Sequence, residues 1–323
     1  MDNIQKIVAA IDARAKIDNS LILRCFDYQY RNCEIYRRYV DLLEIEVTCA
    51  DEIPFLPVEY FKTHSVYSAN KKPETEFTSS GTTGEPSRHF VAEFEIYRKS
   101  FTEGFRCFFG DISNFAVLAL LPSYLERSGS SLIAMVQDFI DKSNSPFSGF
   151  FLREHDKLFA TLMHLKASKT PVLLIGVSFA LLDFIDKYTI DFPDLMVMET
   201  GGMKGRREEI TRSELHEAIC QGFGVERVFS EYGMTELLSQ AYSYGNGRFR
   251  CPPWMKILIR DPKNPLKNVP DGVVGGINII DLANIYSCSF IETRDLGIMH
   301  SDSSFEIVGR FDESEIRGCN LMC

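Results

Sequence analysis

The chain has 323 residues, a formal net charge of −10 and an apolar share of 45%. This composition is typical of a folded protein with a large core and excludes intrinsic disorder. The acidic balance argues against a non-specific nucleic-acid binder, which needs a basic surface.

The sequence also lacks the signals of a membrane or secreted protein. Its longest apolar stretch, residues 171–182, ends at Asp183 and is shorter than the roughly 20 residues that a bilayer span needs. The first residues have neither the basic region nor the apolar core of a signal peptide. Nine scattered cysteines without a C-x-x-C pair argue against a zinc site or a disulfide framework. We therefore expect a cytoplasmic protein without a membrane span.

The hydrophobic pattern divides the chain into three parts, of which residues 1–76 form a helical N-terminal segment packed on the body. Apolar residues recur at helical spacing from Ile4 to Ile11, and no proline interrupts residues 21–43. The prolines within residues 53–57 then end the helical region, because proline does not continue a helix.

Residues 77–250 alternate short apolar runs with helical segments. The runs 116–121 and 172–175 predict buried strands, whereas residues 132–140 and 179–188 predict helices. This alternation is typical of a layered α/β body with a largely parallel sheet.

Residues 251–323 have a different character. Three prolines between residues 262 and 270 interrupt the chain, and Asp271-Gly272 is a turn signal before a strand at 276–281. We expect this part to be small, β-rich and packed on the α/β body.

Four short polar segments are candidates for a functional site. The first, residues 78–84 (TSSGTTG), consists of hydroxyl residues and glycines, which can turn their donor groups towards phosphate oxygens. It lacks the Gly-Lys-Ser/Thr ending of a Walker A loop, and its composition alone fits a polar surface loop better.

The second segment, residues 230–236 (SEYGMTE), places a hydroxyl beside a carboxylate at Thr235 and Glu236. That pair suits a Mg²⁺–phosphate site, since Mg²⁺ prefers one or two carboxylates together with phosphate oxygens. Taken alone, the segment fits a helix N-terminus better, with Thr235 as the cap and Glu236 in the first turn.

The third and fourth segments suit the base and the sugar of a nucleotide. In residues 199–205 (ETGGMKG), paired glycines after a strand allow a flat ring to approach the backbone, although a tight strand-to-helix turn is the alternative. Residues 293–297 (TRDLG) and 309–312 (GRFD) supply an aspartate for a ribose diol and an arginine for the sugar or a phosphate. A surface ion pair is the alternative there. His89, just past the first segment, could touch an acyl site, but a surface position is expected.

Taken in order, the four segments resemble those of the adenylate-forming superfamily of acyl-CoA synthetases, luciferases and peptide-synthetase adenylation domains. Residues 232–236 (YGMTE) look like its Tyr-Gly-x-Thr-Glu motif, and the resemblance covers about residues 77–318. It implies a layered α/β large domain of the adenylate-forming type with a small β-rich portion, and the use of ATP and Mg²⁺.

The resemblance also assigns roles to individual residues. The first segment would hold the β- and γ-phosphates, Thr235 would donate to the α-phosphate or the acyl carboxylate, and Glu236 would bind Mg²⁺. Tyr232 would lie against adenine, and Asp295 would bind the ribose diol. The implied nucleotide-binding residues are Ser79, Ser80, Gly81, Thr82, Thr83, Gly84, Gly201, Gly202, Tyr232, Gly233, Asp295 and Arg310.

A narrower resemblance is to the LuxE family of acyl-protein synthetases. It rests on residues 53–62 (IPFLPVEYFK), the doubled Ser79-Ser80, residues 121–127 (LPSYLER) and residues 314–321 (SEIRGCNL). The family implies that ATP activates a fatty acid as an acyl adenylate. The acyl group then moves to a cysteine near the C-terminus of the synthetase, and a partner acyl reductase receives it.

Cys319 is the expected acyl acceptor. Arg317 precedes it, and a positive neighbour favours the reactive thiolate. Cys323 stays an alternative because the terminus is mobile, although the α-carboxylate beside it would raise the pKa of the thiol.

The sequence departs from the superfamily pattern at two places. Ser87 stands where a Lys or Arg is usual, and Arg88 follows it. The chain also stops shortly after Arg310, so the C-terminal lid domain with its adenylation lysine is expected to be largely absent. Two other functions stay open. One is a phenylacetate–CoA-ligase-like acyl-CoA synthetase, and the other is a non-catalytic nucleotide-binding scaffold for a partner enzyme.

Overall fold

The computed structural model describes residues 3–79, 85–122, 129–201 and 210–311. The phosphate-loop candidates 80–84, Gly202, Cys319 and Cys323 lie outside the described residues, and their roles stay predictions.

Helices cover much of the N-terminal half of the described chain. Nine α-helices have both ends described: α1 Asn3–Asp12, α2 Asn19–Asn32, α3 Glu34–Leu42, α4 Tyr60–Thr63, α5 Phe94–Phe109, α6 Ser131–Lys142, α7 His155–Ala167, α8 Ser178–Ile185 and α9 Arg212–Phe223. Short 3₁₀ helices lie at Ala50–Glu52, Ile112–Asn114 and Leu282–Asn284.

The described strands form one large sheet and one separate pair. They are β1 Leu56–Pro57, β2 Thr75–Thr78, β3 Arg88–Val91, β4 Ala116–Leu120, β5 Gly149–Phe150, β6 Val172–Val177, β7 Met196–Thr200, β8 Phe229–Tyr232, β9 Ala241–Ser243, β10 Arg248–Arg250, β11 Met255–Arg260, β12 Val274–Asp281, β13 Phe290–Met299 and β14 Phe305–Arg310. The sheet order is β11-β12-β13-β14-β10-β9-β8-β7-β6-β4-β5, with β1 added beside β13. Strands β2 and β3 pair antiparallel with each other.

The half of the sheet from β5 to β8 is parallel. Strands β4 and β6 are continuous apolar runs, as expected for strands on which helices such as α6 and α8 pack. Every residue of β4 and β6 is buried. The strands predicted at 116–121 and 172–175 are confirmed, as are the helices predicted at 132–140 and 179–188.

The predicted N-terminal helices are also confirmed, and residues 21–43 belong to two of them. Cys33 has an extended conformation (φ −100°, ψ 101°) that ends α2 and begins α3. The buried Gln29 amide of α2 donates to the carbonyl oxygen of Asn284 at 2.9 Å and accepts the N–H of Ser289 at 2.9 Å. These bonds attach the helices to the connection between β12 and β13.

The antiparallel half of the sheet begins at β9 and continues past residue 250 without a break. Strand β10 pairs with both β9 and β14, and the strand predicted at 276–281 is confirmed as β12. The layered α/β architecture with a β-rich portion is therefore confirmed, whereas its division at residues 76 and 250 stays a prediction. In the described ranges, no helix combines the length and hydropathy needed to cross a bilayer.

Candidate active site

The candidate site lies where the parallel half of the sheet meets the antiparallel half. Strand β8 ends at Tyr232, and residues 233–240 connect it to the antiparallel strand β9. Ligands of open α/β sheets bind outside the carboxyl ends of parallel strands, which is where this connection lies. Thr235 and Glu236 form a turn here and no helix follows, so the alternative of a helix cap at Thr235 is wrong.

A buried carboxylate holds this connection to the antiparallel half of the sheet. Asp281, at the end of β12, accepts the backbone N–H groups of Leu238 and Ser239, both at 2.9 Å, and the Ser239 hydroxyl at 2.6 Å. The side-chain amide of Asn284 donates to the carbonyl oxygen of Glu236 at 2.7 Å. Burial raises the pKa of Asp281 to about 6, although these hydrogen bonds oppose the rise.

Tyr232, Asp295 and Arg310 come together at the start of the connection. The Tyr232 hydroxyl donates to Oδ2 of Asp295 at 2.7 Å, and Nε of Arg310 lies 3.1 Å from Oδ1. Asp295 and Arg310 are direct partners in the antiparallel pair of β13 and β14. The Arg310 side chain is 72% exposed, so its ion pair contributes little to stability. Burial, and then the charge of Asp295, raises the pKa of Tyr232 well above its usual value.

The Glu236 carboxyl is buried, with only 7% of the residue exposed. Desolvation raises its pKa, and the nearby charge of Asp295 adds to this rise. The charge of Lys62 acts in the opposite direction. Among the described residues no three His, Cys, Asp or Glu side chains form a metal cage. One buried carboxylate nevertheless fits Mg²⁺ that takes its other ligands from phosphate oxygens and water.

His89 is fully buried, so its expected surface position is wrong. Its Nδ1 lies 2.8 Å from the carbonyl oxygen of Thr235, and its Nε2 has no hydrogen-bond partner among the described residues. Desolvation lowers the pKa of His89 to about 4, and the ring is therefore neutral at pH 7. A neutral ring that donates through Nδ1 to a carbonyl keeps Nε2 as an acceptor. No sequence pattern indicates this contact, since 146 residues separate the two partners.

Two further carboxyl groups, those of Glu199 and Glu231, lie near the ends of β7 and β8. The Thr200 hydroxyl donates to Oε2 of Glu231 at 2.5 Å, and desolvation together with the charge of Glu199 raises the pKa of Glu231 to about 7. A Cβ atom on Gly233 would lie 2.5 Å from Oε1 of Glu231, so a larger residue at this position would displace the Glu231 carboxyl. Sequence reasoning assigned no role to Glu231, because a buried carboxylate in a strand carries no pattern of its own.

Ser79 and Gly201 mark the described edges of two predicted loops. The Ser79 hydroxyl accepts the N–H of Ser87 at 2.9 Å, and the Ser79 N–H donates to the Ser87 carbonyl at 3.1 Å. These bonds join the two ends of the segment that contains residues 80–84. Gly201 has a φ of +71°, which suits glycine, and its carbonyl accepts the Ser178 hydroxyl at 3.3 Å.

Comparison with solved structures defines the class of fold. The ATP-bound MatB from Rhodopseudomonas palustris superposes with a TM-score of 0.55 and 19% identity, over 73% of this chain and 47% of MatB. The chain thus spans about half the length of MatB. An open conformation of 2-hydroxyisobutyryl-CoA ligase with 2-HIB-AMP and CoA superposes with a TM-score of 0.70 and 13% identity, over 93% of this chain and 72% of the ligase. The fold is that of the adenylate-forming enzymes.

The family follows from comparison of sequences. The model of the family described as acyl-protein synthetase, LuxE, matches residues 5–323, and the chain belongs to this family. A long-chain-fatty-acid–luciferin-component ligase of Aliivibrio fischeri is 24% identical over an alignment of 349 residues, gaps included, and the alignment covers 97% of this chain and 89% of the relative. The ligase of the same name from Photorhabdus luminescens is 36% identical over 81 residues, 24% of this chain and 70% of the relative. Both the fold and the family expected from the sequence are confirmed.

Proposed function

We propose that this protein activates a long-chain fatty acid with ATP, forming an acyl adenylate and releasing pyrophosphate. The family, the fold and the names of the two curated relatives support the reaction class. The observation that carries the proposal is the placement of Glu236 and Asp295. Asp295 on β13 accepts the hydroxyl of Tyr232, the last residue of β8, at 2.7 Å, and Glu236 follows Tyr232 by four residues in the same connection.

In this reaction a carboxylate oxygen of the fatty acid bonds to the α-phosphorus of ATP. The bond from that phosphorus to the oxygen bridging the α- and β-phosphates breaks, and the bridging oxygen leaves with pyrophosphate. Charge in the transition state spreads over phosphate oxygens, so the protein contributes mainly by positioning the reactants and neutralising charge.

Asp295 is the proposed ribose ligand. Each carboxylate oxygen accepts two hydrogen bonds, and the Tyr232 hydroxyl and the Arg310 guanidinium take one position on each oxygen. One position per oxygen is left for a ribose diol. The same two protein contacts hold the carboxylate in a fixed orientation, which lowers the entropic cost of binding the sugar.

Thr235 and Glu236 are proposed to act at the phosphates. The Thr235 carbonyl is engaged by His89, which fixes the backbone of the turn, and the Thr235 hydroxyl would donate to the α-phosphate or the acyl carboxylate. Glu236 would ligate Mg²⁺. When bound, Mg²⁺ offsets phosphate charge and orients the oxygens for in-line displacement.

We propose that the acyl group then moves to a cysteine of the protein, with Cys319 as the first candidate and Cys323 as the second. The thiolate would attack the acyl carbon and AMP would leave. Three of the described cysteines are poor candidates by their environments, since only a thiolate is a competent nucleophile. Burial raises the pKa of Cys25 to about 12 and raises the pKa values of Cys251 and Cys288 as well.

A partner acyl reductase is the proposed destination of the acyl group, as the family resemblance implies. Two other functions would use the same fold. An acyl-CoA synthetase would pass the acyl group to free coenzyme A, and a scaffold would bind ATP without forming the adenylate.

One experiment distinguishes these three functions. The pure protein is incubated with ATP, Mg²⁺ and fatty acids of graded length, while pyrophosphate exchange is measured and the protein is weighed by intact mass spectrometry. Acid-dependent exchange with a hydroxylamine-sensitive acyl adduct supports the proposal. Acyl-CoA formation without an adduct favours the CoA ligase. ATP binding without exchange favours the scaffold and contradicts the proposal.

A further inference from the structure

Residues 56–63, which comprise β1 and α4, lie against the candidate site and are called here the β1–α4 segment. Strand β1 runs parallel to β13, with Leu56 opposite Ile291, and the N–H of Val58 donates to the carbonyl oxygen of Glu292 at 2.9 Å. Glu292 precedes Asp295 by three residues on the same strand. The segment is therefore fixed beside the proposed ribose ligand.

The other side of the segment packs on the turn that carries Thr235 and Glu236. Phe61 is fully buried, and its ring meets the His89 ring edge-on with centroids 5.7 Å apart. His89 in turn contacts the Thr235 carbonyl oxygen at 2.8 Å. A continuous line of contacts thus leads from α4 through β3 to the turn.

Alternation along β3 explains why the basic residue of this strand does not serve the site. His89 lies on the face of β3 that meets the turn, since its Nδ1 contacts the Thr235 carbonyl oxygen, and adjacent strand residues point to opposite faces. Arg88 lies on the opposite face, and its guanidinium binds both carboxylate oxygens of Glu76, at 2.5 and 3.1 Å. The cation next to the expected phosphate loop is thus already neutralised.

The other described cations near the proposed ribose ligand are engaged as well. Arg310 pairs with Asp295, Arg294 lies 3.5 Å from a carboxylate oxygen of Glu59, and Arg260 is buried beside Glu292 at 3.3 Å.

Lys62 is the exception. It lies on α4 next to Phe61, its side chain is exposed, and it makes no hydrogen bond or ion pair with the described residues. Its charge reaches the buried Glu236 carboxyl, whose pKa it lowers. The ammonium of Lys62 has no ion-pair partner in the described part of the chain, and a phosphate anion placed beside it would neutralise its charge.

We propose that Lys62 is a catalytic residue of the adenylation reaction, and that its ammonium group contacts the phosphates of ATP and stabilises the charge that develops as pyrophosphate leaves. The proton stays on the nitrogen, since the role of the group is to offset negative charge. This inference rests on the proposed function and adds to it the source of the phosphate-binding cation. A Lys ammonium binds phosphate as a point charge, so a flexible exposed stem on a fixed helix suits the task.

The test compares Lys62→Met with Lys62→Arg, and with Lys263→Met as a control for the loss of an exposed lysine on a distant part of the chain. Fatty-acid-dependent pyrophosphate exchange gives kcat and the KM for ATP, and calorimetry without fatty acid gives the Kd of ATP. We expect Lys62→Met to lose kcat by about 100-fold, as when one preorganised donor at a developing charge is removed. Its Kd for ATP should change by less than about threefold, because the interaction is strongest in the transition state.

The conservative variant separates charge from packing. Lys62→Arg should recover at least a tenth of the wild-type kcat, and Lys263→Met should behave as the wild type. Wild-type exchange in Lys62→Met, an effect on KM alone, or no recovery in Lys62→Arg would overturn the inference while leaving the proposed function intact. Absence of exchange in the wild-type protein with every fatty acid would overturn both.

Discussion

Asp295→Ala should weaken ATP binding far more than it slows the chemical step. The substitution removes the proposed acceptor of the ribose hydroxyls and leaves the Tyr232 hydroxyl, which donates to Asp295 at 2.7 Å, without its partner. A hydrogen bond to a charged group contributes about 1.5–3 kcal/mol. Since 1.4 kcal/mol corresponds to a factor of ten, the Kd of ATP should rise by roughly 10- to 150-fold. A sugar contact is made equally in the ground state and the transition state, so kcat at saturating ATP should stay near that of the wild type.

Tyr232→Phe is the matched control for this prediction. It removes the same 2.7 Å hydrogen bond from the other side and keeps the carboxylate that would bind ribose. We expect its Kd for ATP to rise by less than about tenfold, because this variant keeps the ribose acceptor and loses only one hydrogen bond that orients Asp295. Calorimetric titration with ATP and pyrophosphate exchange at saturating ATP measure both quantities. A loss confined to kcat in Asp295→Ala, with an unchanged Kd, would refute the ribose assignment.

Three other substitutions test separate parts of the site. Glu236→Gln should keep the far-UV circular dichroism and lose pyrophosphate exchange by about 100-fold or more, since a neutral amide is a poor Mg²⁺ ligand; near-normal exchange would contradict the metal role. Cys319→Ser should exchange pyrophosphate normally and carry no hydroxylamine-sensitive acyl group in intact mass spectra, whereas persistent acylation would move the assignment to Cys323. Glu231 has its pKa raised from 4.5 to about 7, so its contribution to stability is present below pH 4.5 and is lost as the pH rises to 7. Urea unfolding should therefore show that the free energy of unfolding of Glu231→Gln falls less between pH 4.5 and 7 than that of the wild type, by on the order of 3 kcal/mol. An equal fall in both proteins would contradict the assignment.

The strands and helices of the body could be predicted because their cause is local. A run such as 172–177 is apolar at every position and short, which is typical of a strand covered on both faces. The break at Cys33 could not be predicted, since neither proline nor glycine marks it. It arises where α2 is held by Gln29 and the chain must turn to begin α3.

The residues of the candidate site also fall into two groups, those that a local motif predicts and those that only long-range contacts reveal. Residues 232–236 and Asp295 lie in short contiguous motifs, and the sequence pointed to them directly. His89, Glu231 and Lys62 were not assigned to the site, because their importance depends on contacts between segments far apart in the chain. The sequence does not distinguish a buried histidine from an exposed one. In the structure the Phe61 ring packs edge-on against His89.

In strand β13 the number of residues between Glu292 and Asp295 is tightly constrained. It carries Glu292, which accepts a hydrogen bond from the β1–α4 segment, and Asp295, which pairs with Arg310. The pairing of β13 with β12 shifts register between Glu292 and Leu296, so the local backbone decides which way Asp295 faces, and inserting or deleting one residue between Glu292 and Asp295 would move its side chain away from Tyr232. Residues 262–272, in contrast, form an exposed connection between β11 and β12. A library of single-residue insertions should therefore yield active proteins from this connection and inactive ones from residues 292–295.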